Sequence, residues 1–380
     1  MKKNGLVVST GFALFSMFFG SGNLVFPITV GQESGGNYLL AALGILLTGV
    51  AVPFLGVFGM MLYRGDIYSF FNSFGKRGVF IFSFLALALM GPFGVLARCL
   101  TVAHGALLLI FPNVSLPIAS LIMCLVIYLF TLNKNKIVTL LGAILTPFLL
   151  IAIATIAFFG LKQSSLPPAT DLIGWNAFKN GFFQGYQTMD LLAAFFFSQF
   201  IIKHLSSRFS ANMEDPSALK VFCKASMVGA GILSSVYIAL VLLGWIYSPL
   251  LFQKPPQEML GLIAMESLGS MAAPCVCLAV IFACLTTAIV LASLFADFLR
   301  TEVAQEKIGN KMALFITLTI GFLVSTLEFS GIAQFLGPVL EIVYPALIAL
   351  TLVNIACKFF SVKCSHWPFT ITIVAKLCWI

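Results

Sequence analysis

The stretch Phe19-Gly20-Ser21-Gly22-Asn23, followed by Pro27, interrupts an apolar run that extends from Gly5 to about Val30. Two glycines, a serine and an asparagine in succession weaken a helix. A second stretch, Gly185-Tyr186-Gln187-Thr188-Met189-Asp190, sets glycine and polar side chains inside another apolar run, about 180–202. Lipid satisfies no backbone N–H or C=O, so an unwound stretch at membrane depth must face protein or a polar cavity. The restarted half-helix offers free N–H donors and partial positive charge, which suit a carboxylate. Freed carbonyls suit a small cation or an ammonium. Matching breaks in two halves of a chain point to a transporter with a site at the midplane. The competing reading is packing, since glycine and serine also let membrane helices approach closely.

The surroundings of these breaks are those of a polytopic membrane protein. The chain has 380 residues, 60% hydrophobic, 9% charged, with 39 phenylalanines. A soluble domain carries about 25% charged residues. Too few charges remain here to cover a soluble surface, and disorder and a coiled coil are excluded with it. Apolar runs fall at 6–30, 38–62, 79–111, 116–132, 137–160, 180–202, 222–247, 272–299, 312–328, 333–357 and 367–380. Most are near the ~20 residues a crossing needs, 79–111 is longer and the last is short. Residues 258–268 read as a short helix in a loop.

The net charge of +8 follows the membrane, not an acidic partner. With the N-terminus inside and alternating spans, sixteen of the 21 basic residues fall on the inner side. Lys162, Lys179, Lys254 and Lys376 fall outside, and Arg98 lies within a span. This is the bias expected when basic loops stay cytoplasmic. It places the chain in a bacterial cytoplasmic (inner) membrane with a cytoplasmic N-terminus, and nucleic-acid binding is not expected. Met1-Lys2-Lys3 and the following run exceed a signal peptide's apolar core and form the first span. The chain reads as a single transmembrane domain, 1–380. The loop 160–179, with Pro167-Pro168, separates two five-helix halves, about 6–160 and 180–357, ahead of an extra helix at 367–380.

Other chemistry is absent from the sequence. Cys99, Cys124 and Cys284 lie in apolar runs, and Cys275 and Cys277 form only a CxC with no histidine spaced to complete a zinc site. No P-loop, HExxH or GxSxG occurs, so an enzyme is not expected and transport would draw on an ion gradient. No cofactor and no obligate protein partner are expected. An ion channel and a membrane-embedded enzyme or scaffold remain the alternatives from other classes.

Phe12-Ala13-Leu14-Phe15-Ser16-Met17-Phe18-Phe19-Gly20-Ser21-Gly22-Asn23-Leu24-Val25-Phe26-Pro27 closely resembles the first helix of the bacterial branched-chain amino acid:cation symporters, the BrnQ or LIVCS family. Gly185 to Asp190 resembles that family's sixth-helix motif, Gly91-Pro92-Phe93 with Arg98 its third, and Leu285-Thr286-Thr287-Ala288-Ile289 its eighth. Ala97 stands where the family commonly has proline, and about Gly105 where it has an acid. The family usually has twelve helices against about eleven here. The resemblance implies an all-α, LeuT-like five-plus-five inverted repeat with broken helices 1 and 6. It also implies sodium-coupled import of leucine, isoleucine or valine, with a proton-coupled permease for another small solute as the alternative.

Candidate residues follow. The N–H groups of Ser21, Gly22 and Asn23 would hold the substrate carboxylate, with Gly20 giving close backbone approach. Gly185, Tyr186, Gln187 and Thr188 would neighbour the substrate, through backbone carbonyls and the Tyr186 ring. By analogy with LeuT-like carriers, Ala283, Thr286 and Thr287, at i, i+3 and i+4, with carbonyls of Ser16 and Phe19, would hold Na+. Threonines bonding their own preceding turn are the bland alternative. Asp190 either caps a restarting helix, together with Thr188, or takes part in the site. Arg98 and Glu341 are gating or coupling candidates, both expected to be buried. His104 reads as a satisfied interior histidine, and Phe93 as a possible wall of an apolar pocket. Such a pocket separates aliphatic side chains by only about 1–3 kcal/mol per methylene, so it does not rank leucine, isoleucine and valine.

Overall fold

The computed structural model describes residues 3–132, 137–162, 173–206, 216–269, 273–360 and 367–378. Pro167-Pro168 lies outside the described residues, as do several of the basic residues counted above. The described residues contain helices and no strand: α1 (Lys3–Phe18), α2 (Ser21–Gln32), α3 (Tyr38–Leu62), α4 (Gly75–Met90), α5 (Val95–Leu107), α6 (Leu116–Leu132), α7 (Ile137–Lys162), α8 (Gly174–Gln187), α9 (Asp190–Ser206), α10 (Pro216–Ile246), α11 (Met259–Leu268), α12 (Ala273–Phe298), α13 (Asn310–Ser325), α14 (Glu328–Phe360) and α15 (Trp367–Cys378). Five helical stretches among them are long and apolar enough to cross a membrane. The pair α1 and α2 forms a sixth crossing, bent by 75°. This is a multi-pass membrane protein.

Both expected breaks are present, and their local causes differ. Between α1 and α2 the chain is extended at Gly20 (φ −128°, ψ −165°). The Asn23 side chain turns back and accepts the Gly20 N–H at 2.9 Å, closing the first turn of α2. Between α8 and α9 the turn falls on Met189, whose φ of +60° is unusual for a side chain of that size. Asp190 then starts α9, its N–H 3.5 Å from the Thr188 hydroxyl oxygen.

A third break, not expected from the sequence, lies inside the apolar run 79–111. Gly91 to Gly94 form a tight turn between α4 and α5. Pro92 supplies no N–H, and a Cβ on Gly94 would overlap the Leu89 carbonyl oxygen. Only a glycine tolerates that approach. The α3 helix carries a π-helical segment, Leu47–Ala51, just before Pro53, a local widening of a kind often found near functional sites.

Small residues set the helix spacing around the two breaks. A Cβ on Gly244 of α10 would overlap the Ile28 carbonyl of α2, and one on Gly31 would overlap that of Val241. Helix α8 lies against α3 in the same way, with Gly181 on the Ala41 carbonyl and Gly44 on that of Phe178. Backbone contact of this kind substitutes for the hydrophobic drive that lipid removes. We predict that Gly181→Val lowers the thermal midpoint of the detergent-purified protein sharply. Overpacking of this sort costs about 1–3 kcal/mol or more. Gly231→Ala, at an exposed helical position with no atom within 4 Å of the added methyl, should leave the midpoint unchanged or raise it slightly.

Candidate functional site

The two breaks face each other. A Cβ on Gly22 would sit 3.5 Å from the Thr188 Cα, and one on Gly20 would sit 3.3 Å from the Thr287 methyl of α12. Between them lies a cavity of about 30 Å3, lined by Ser21, Asn23, Arg98, Thr188, Asp190 and Thr287 among others. Its apolar wall includes Met17, Met90, Val95, Phe197 and Leu291. A volume of this size holds about one or two water molecules.

Polar contacts cross the gap. Asn23 donates through Nδ2 to Asp190 Oδ2 at 2.7 Å, and the same nitrogen lies 2.6 Å from the Tyr237 hydroxyl oxygen of α10. Tyr237 in turn lies 3.4 Å from Asp190 Oδ2, placed to donate its proton. All three side chains are at most 3% exposed. Asp190 therefore has neutral hydrogen-bond donors and, among the described residues, no ion pair. A buried carboxylate held in this way is costly unless a cation or a proton joins it.

Arg98 lines the same cavity and is 1% exposed. Its Nη1 donates to the Gln187 carbonyl at 2.7 Å and its Nη2 to Gln187 Oε1 at 2.6 Å. The guanidinium thus caps the C-terminal end of α8, where a positive charge is favoured. It lies 5.0 Å from the Phe26 ring centroid and 5.5 Å from that of Phe329, within cation–π range. Its Nε–H is buried without a partner. Gln187 also donates from Nε2 to the Ala333 carbonyl of α14 at 3.3 Å, tying three helices together.

The expected site residues divide accordingly. Gly20, Ser21, Gly22, Asn23, Thr188, Asp190, Arg98 and Thr287 meet at the central cavity. Gly185 does not. It packs on α3, where a Cβ would overlap the Thr48 hydroxyl, itself donating to the Phe182 carbonyl at 2.7 Å. Tyr186 does not line the cavity, and its ring lies 4.8 Å from that of Tyr344 at a tilt of 39°. The carbonyls expected to be free are occupied: Gly185 by the Thr188 hydroxyl, Tyr186 by the Met189 N–H, and Gln187 by Arg98.

Of the proposed cation ligands, Phe19 and Ala283 are buried and Ser16 is half-buried. Thr286 donates its hydroxyl to the Ala283 carbonyl at 2.9 Å, so two of them bond each other. Glu341 is not a buried acid. It is exposed on α14 and lines a separate cavity with Gln187. Phe93 is 37% exposed, directed outward by the turn at Gly91 to Gly94, and is not part of the central lining. His104 is satisfied, its Nε2–H donating to the Val114 carbonyl at 2.8 Å.

Three sets of contacts, those of Tyr237, Gln187 and Cys99, are not visible in the sequence. Tyr237 looked like one more aromatic in an apolar helix, and only its position opposite both breaks gives it a role. Gln187 was singled out, but not as the partner of Arg98. Cys99, whose thiol lies 3.4 Å from the Ser21 hydroxyl, was set aside as a core residue.

Comparison with known proteins agrees with this geometry. The family model described as "Branched-chain amino acid transport protein" matches residues 2–379. A relative in Staphylococcus epidermidis, named "Putative branched-chain amino acid carrier protein", is 28% identical over 99% of this chain and 87% of its own length. A Staphylococcus aureus relative of the same description is 27% identical over 96% and 84%. Among solved structures, the inward-facing conformation of Mhp1 superposes with a TM-score of 0.65 at 15% identity, covering 90% of this chain and 76% of that one. A Na+-coupled sialic acid symporter gives 0.59 at 12% identity, covering 92% and 78%. These two likenesses show the fold, which is LeuT-like.

The buried Asn23–Asp190–Tyr237 cluster makes a checkable claim about stability. Asn23→Ala should destabilise the purified protein by about 1–3 kcal/mol, the cost of an under-satisfied buried polar group, and Tyr237→Phe by about 1 kcal/mol. In an Asp190→Asn background the Asn23→Ala penalty should shrink, because the carboxylate it serves is gone. Equal shifts in thermal midpoint in both backgrounds would show that the cluster does not act as a unit.

Proposed function

We propose, from the premise that the chain belongs to the branched-chain amino acid transport protein family, that it carries a zwitterionic aliphatic amino acid in symport with a cation. The transporter class is established by the family. The substrate, the ion and the residues that bind them are the proposal.

One observation carries it. Arg98 and Asp190 line the same cavity without pairing with each other, and each is held by neutral groups. A zwitterion fits between opposite charges kept apart. Its ammonium satisfies Asp190. Its carboxylate meets the first N–H groups of α2 at Ser21 and Gly22, near the unpartnered Nε–H of Arg98. Met17, Met90, Val95 and Leu291 take the aliphatic side chain, and methionine adapts to several shapes. A cavity of about 30 Å3 is too small for this cargo, so loading requires the helices around the breaks to part, as alternating access demands.

For the coupling ion we favour Na+ beside the first break, held by carbonyls of Ser16, Phe19 and Ala283 and the hydroxyls of Thr286 and Thr287. Oxygen ligands suit a hard cation. The contact of Thr287 with Gly20 supports this, because an ion there would stabilise the break against α12. A second reading, proton coupling, rests on Asp190, a buried carboxylate with only neutral donors. We place the chain in a bacterial inner membrane with its N-terminus in the cytoplasm, supported by the distribution of its basic residues.

Proteoliposome counterflow of radiolabelled leucine tests the whole reading. Leucine, isoleucine and valine should compete, whereas isocaproate, lacking the ammonium, should not. Absence of exchange of any amino acid would overturn the proposal. Gly22→Leu should abolish exchange while leaving the protein in the membrane. Replacing Na+ should stop uptake, and Thr287→Ala should raise the Na+ concentration needed at least tenfold. If uptake instead follows a pH gradient and ignores Na+, the Asp190 reading replaces the sodium one.

A further inference from the structure

A second and larger cavity lies between α8 and α14. Its volume is about 290 Å3, against about 30 Å3 for the central one, close to the ~300 Å3 at which small-ligand pockets begin. Its lining is chemically one-sided. Glu341 supplies a carboxylate, Asn180, Gln184 and Gln187 supply carboxamides, and Tyr186 and Leu340 supply apolar surface. No lysine or arginine lines it. Glu341 is exposed there and, among the described residues, forms no hydrogen bond or ion pair. At its rim, Asn180 donates to a second carboxylate, Glu33 Oε2, at 2.8 Å.

The floor of this cavity is Gln187, the residue that holds Arg98. Gln187 is kept in place by the Ala333 carbonyl, and Gly337 makes room for it, since a Cβ there would stand 3.0 Å from Gln187 Nε2. Gln187 lines this cavity and Arg98 lines the central one, so this hydrogen-bonded pair stands between the two.

We propose that the larger cavity is a binding site for a small aliphatic ammonium ion, with Glu341 as its counter-charge. The carboxylate lines a cavity of about 290 Å3, room enough for such a ligand. The carboxamides supply donors and acceptors, and the Tyr186 and Leu340 faces cover an alkyl group. That this site receives the amino acid before it reaches the central cavity rests on the transport reading above. The recognition of an ammonium does not.

The test uses the full-length protein in detergent and reads thermal stabilisation by isopentylamine, with uncharged isopentanol as the comparison. Isopentylamine should stabilise and isopentanol should not. Glu341→Gln should weaken the amine's apparent affinity at least tenfold, whereas Glu341→Asp and Asp190→Asn should each retain most of it. Unchanged affinity in Glu341→Gln, equal stabilisation by the alcohol, or a loss caused by Asp190→Asn alone would each overturn the proposal. Leucine counterflow measured in parallel separates the two claims. If wild-type counterflow is absent, the transport reading fails while the amine titration still decides the site. If counterflow is present, Glu341→Gln should raise half-saturation for leucine with little change in maximal rate.

Discussion

The structure depends on one constraint: a backbone that leaves the helical path inside a membrane protein must find partners for its polar groups within the protein. Three interruptions meet that requirement here, each by its own means. At Gly20 the Asn23 side chain supplies the missing acceptor. At Thr188 to Asp190, side chains and an arginine from another helix take up the carbonyls. At Gly91 to Gly94 the backbone bonds to itself, with the Gly91 N–H on the Leu87 carbonyl at 2.7 Å and the Leu96 N–H on the Gly91 carbonyl at 3.1 Å. The solutions interlock. Asn23 closes the first break and reaches Asp190 at the second. Arg98 stands one turn past the third break and closes the end of α8. A change at one interruption is therefore felt at the other two, which is what a site that must reorganise as a unit requires.

The fold was legible because its causes are local. Apolar runs of membrane length, Gly20 to Asn23 and Gly185 to Asp190 are patterns of neighbours in sequence, and the structure places breaks at both. The short helix read at 258–268 is present as α11. The site was only half legible, because its bonds join residues far apart in the chain. Nothing near Arg98 in sequence names Gln187, and nothing near Asp190 names Tyr237. The exposure of Glu341 was invisible for a related reason. Two prolines flank it within α14, but which face of that helix looks into a cavity depends on how α8 packs against it.

The carbonyls of Gly185, Tyr186 and Gln187 show why an unwound helix is not automatically a ligand site. Freed carbonyls offer a cation binding groups only while no donor inside the protein claims them. Here a hydroxyl, an N–H and a guanidinium have done so. In the proposed function the charged side chains left in the cavity would carry more of the recognition than the bare backbone. An acidic group and a basic group that do not neutralise each other hold a field across a small, poorly hydrated space. Both ends of a zwitterion respond to such a field, and a molecule with only one charged end satisfies half of it.

If the proposed transport is cation-coupled, the same arrangement supplies a physical reason for it. With Asp190 served by neutral donors, the closed cavity is stabilised when a positive charge enters with or before closure, and penalised when it closes empty. Arg98 is bound into the end of α8, so its charge cannot simply move across to supply that cation without releasing Gln187. Gln187 also bonds α14 through Nε2, so a shift of this side chain would disturb the lining of the larger cavity. A ligand that stabilises one arrangement of Arg98 must shift the affinity for a ligand at the other cavity by the same factor in return.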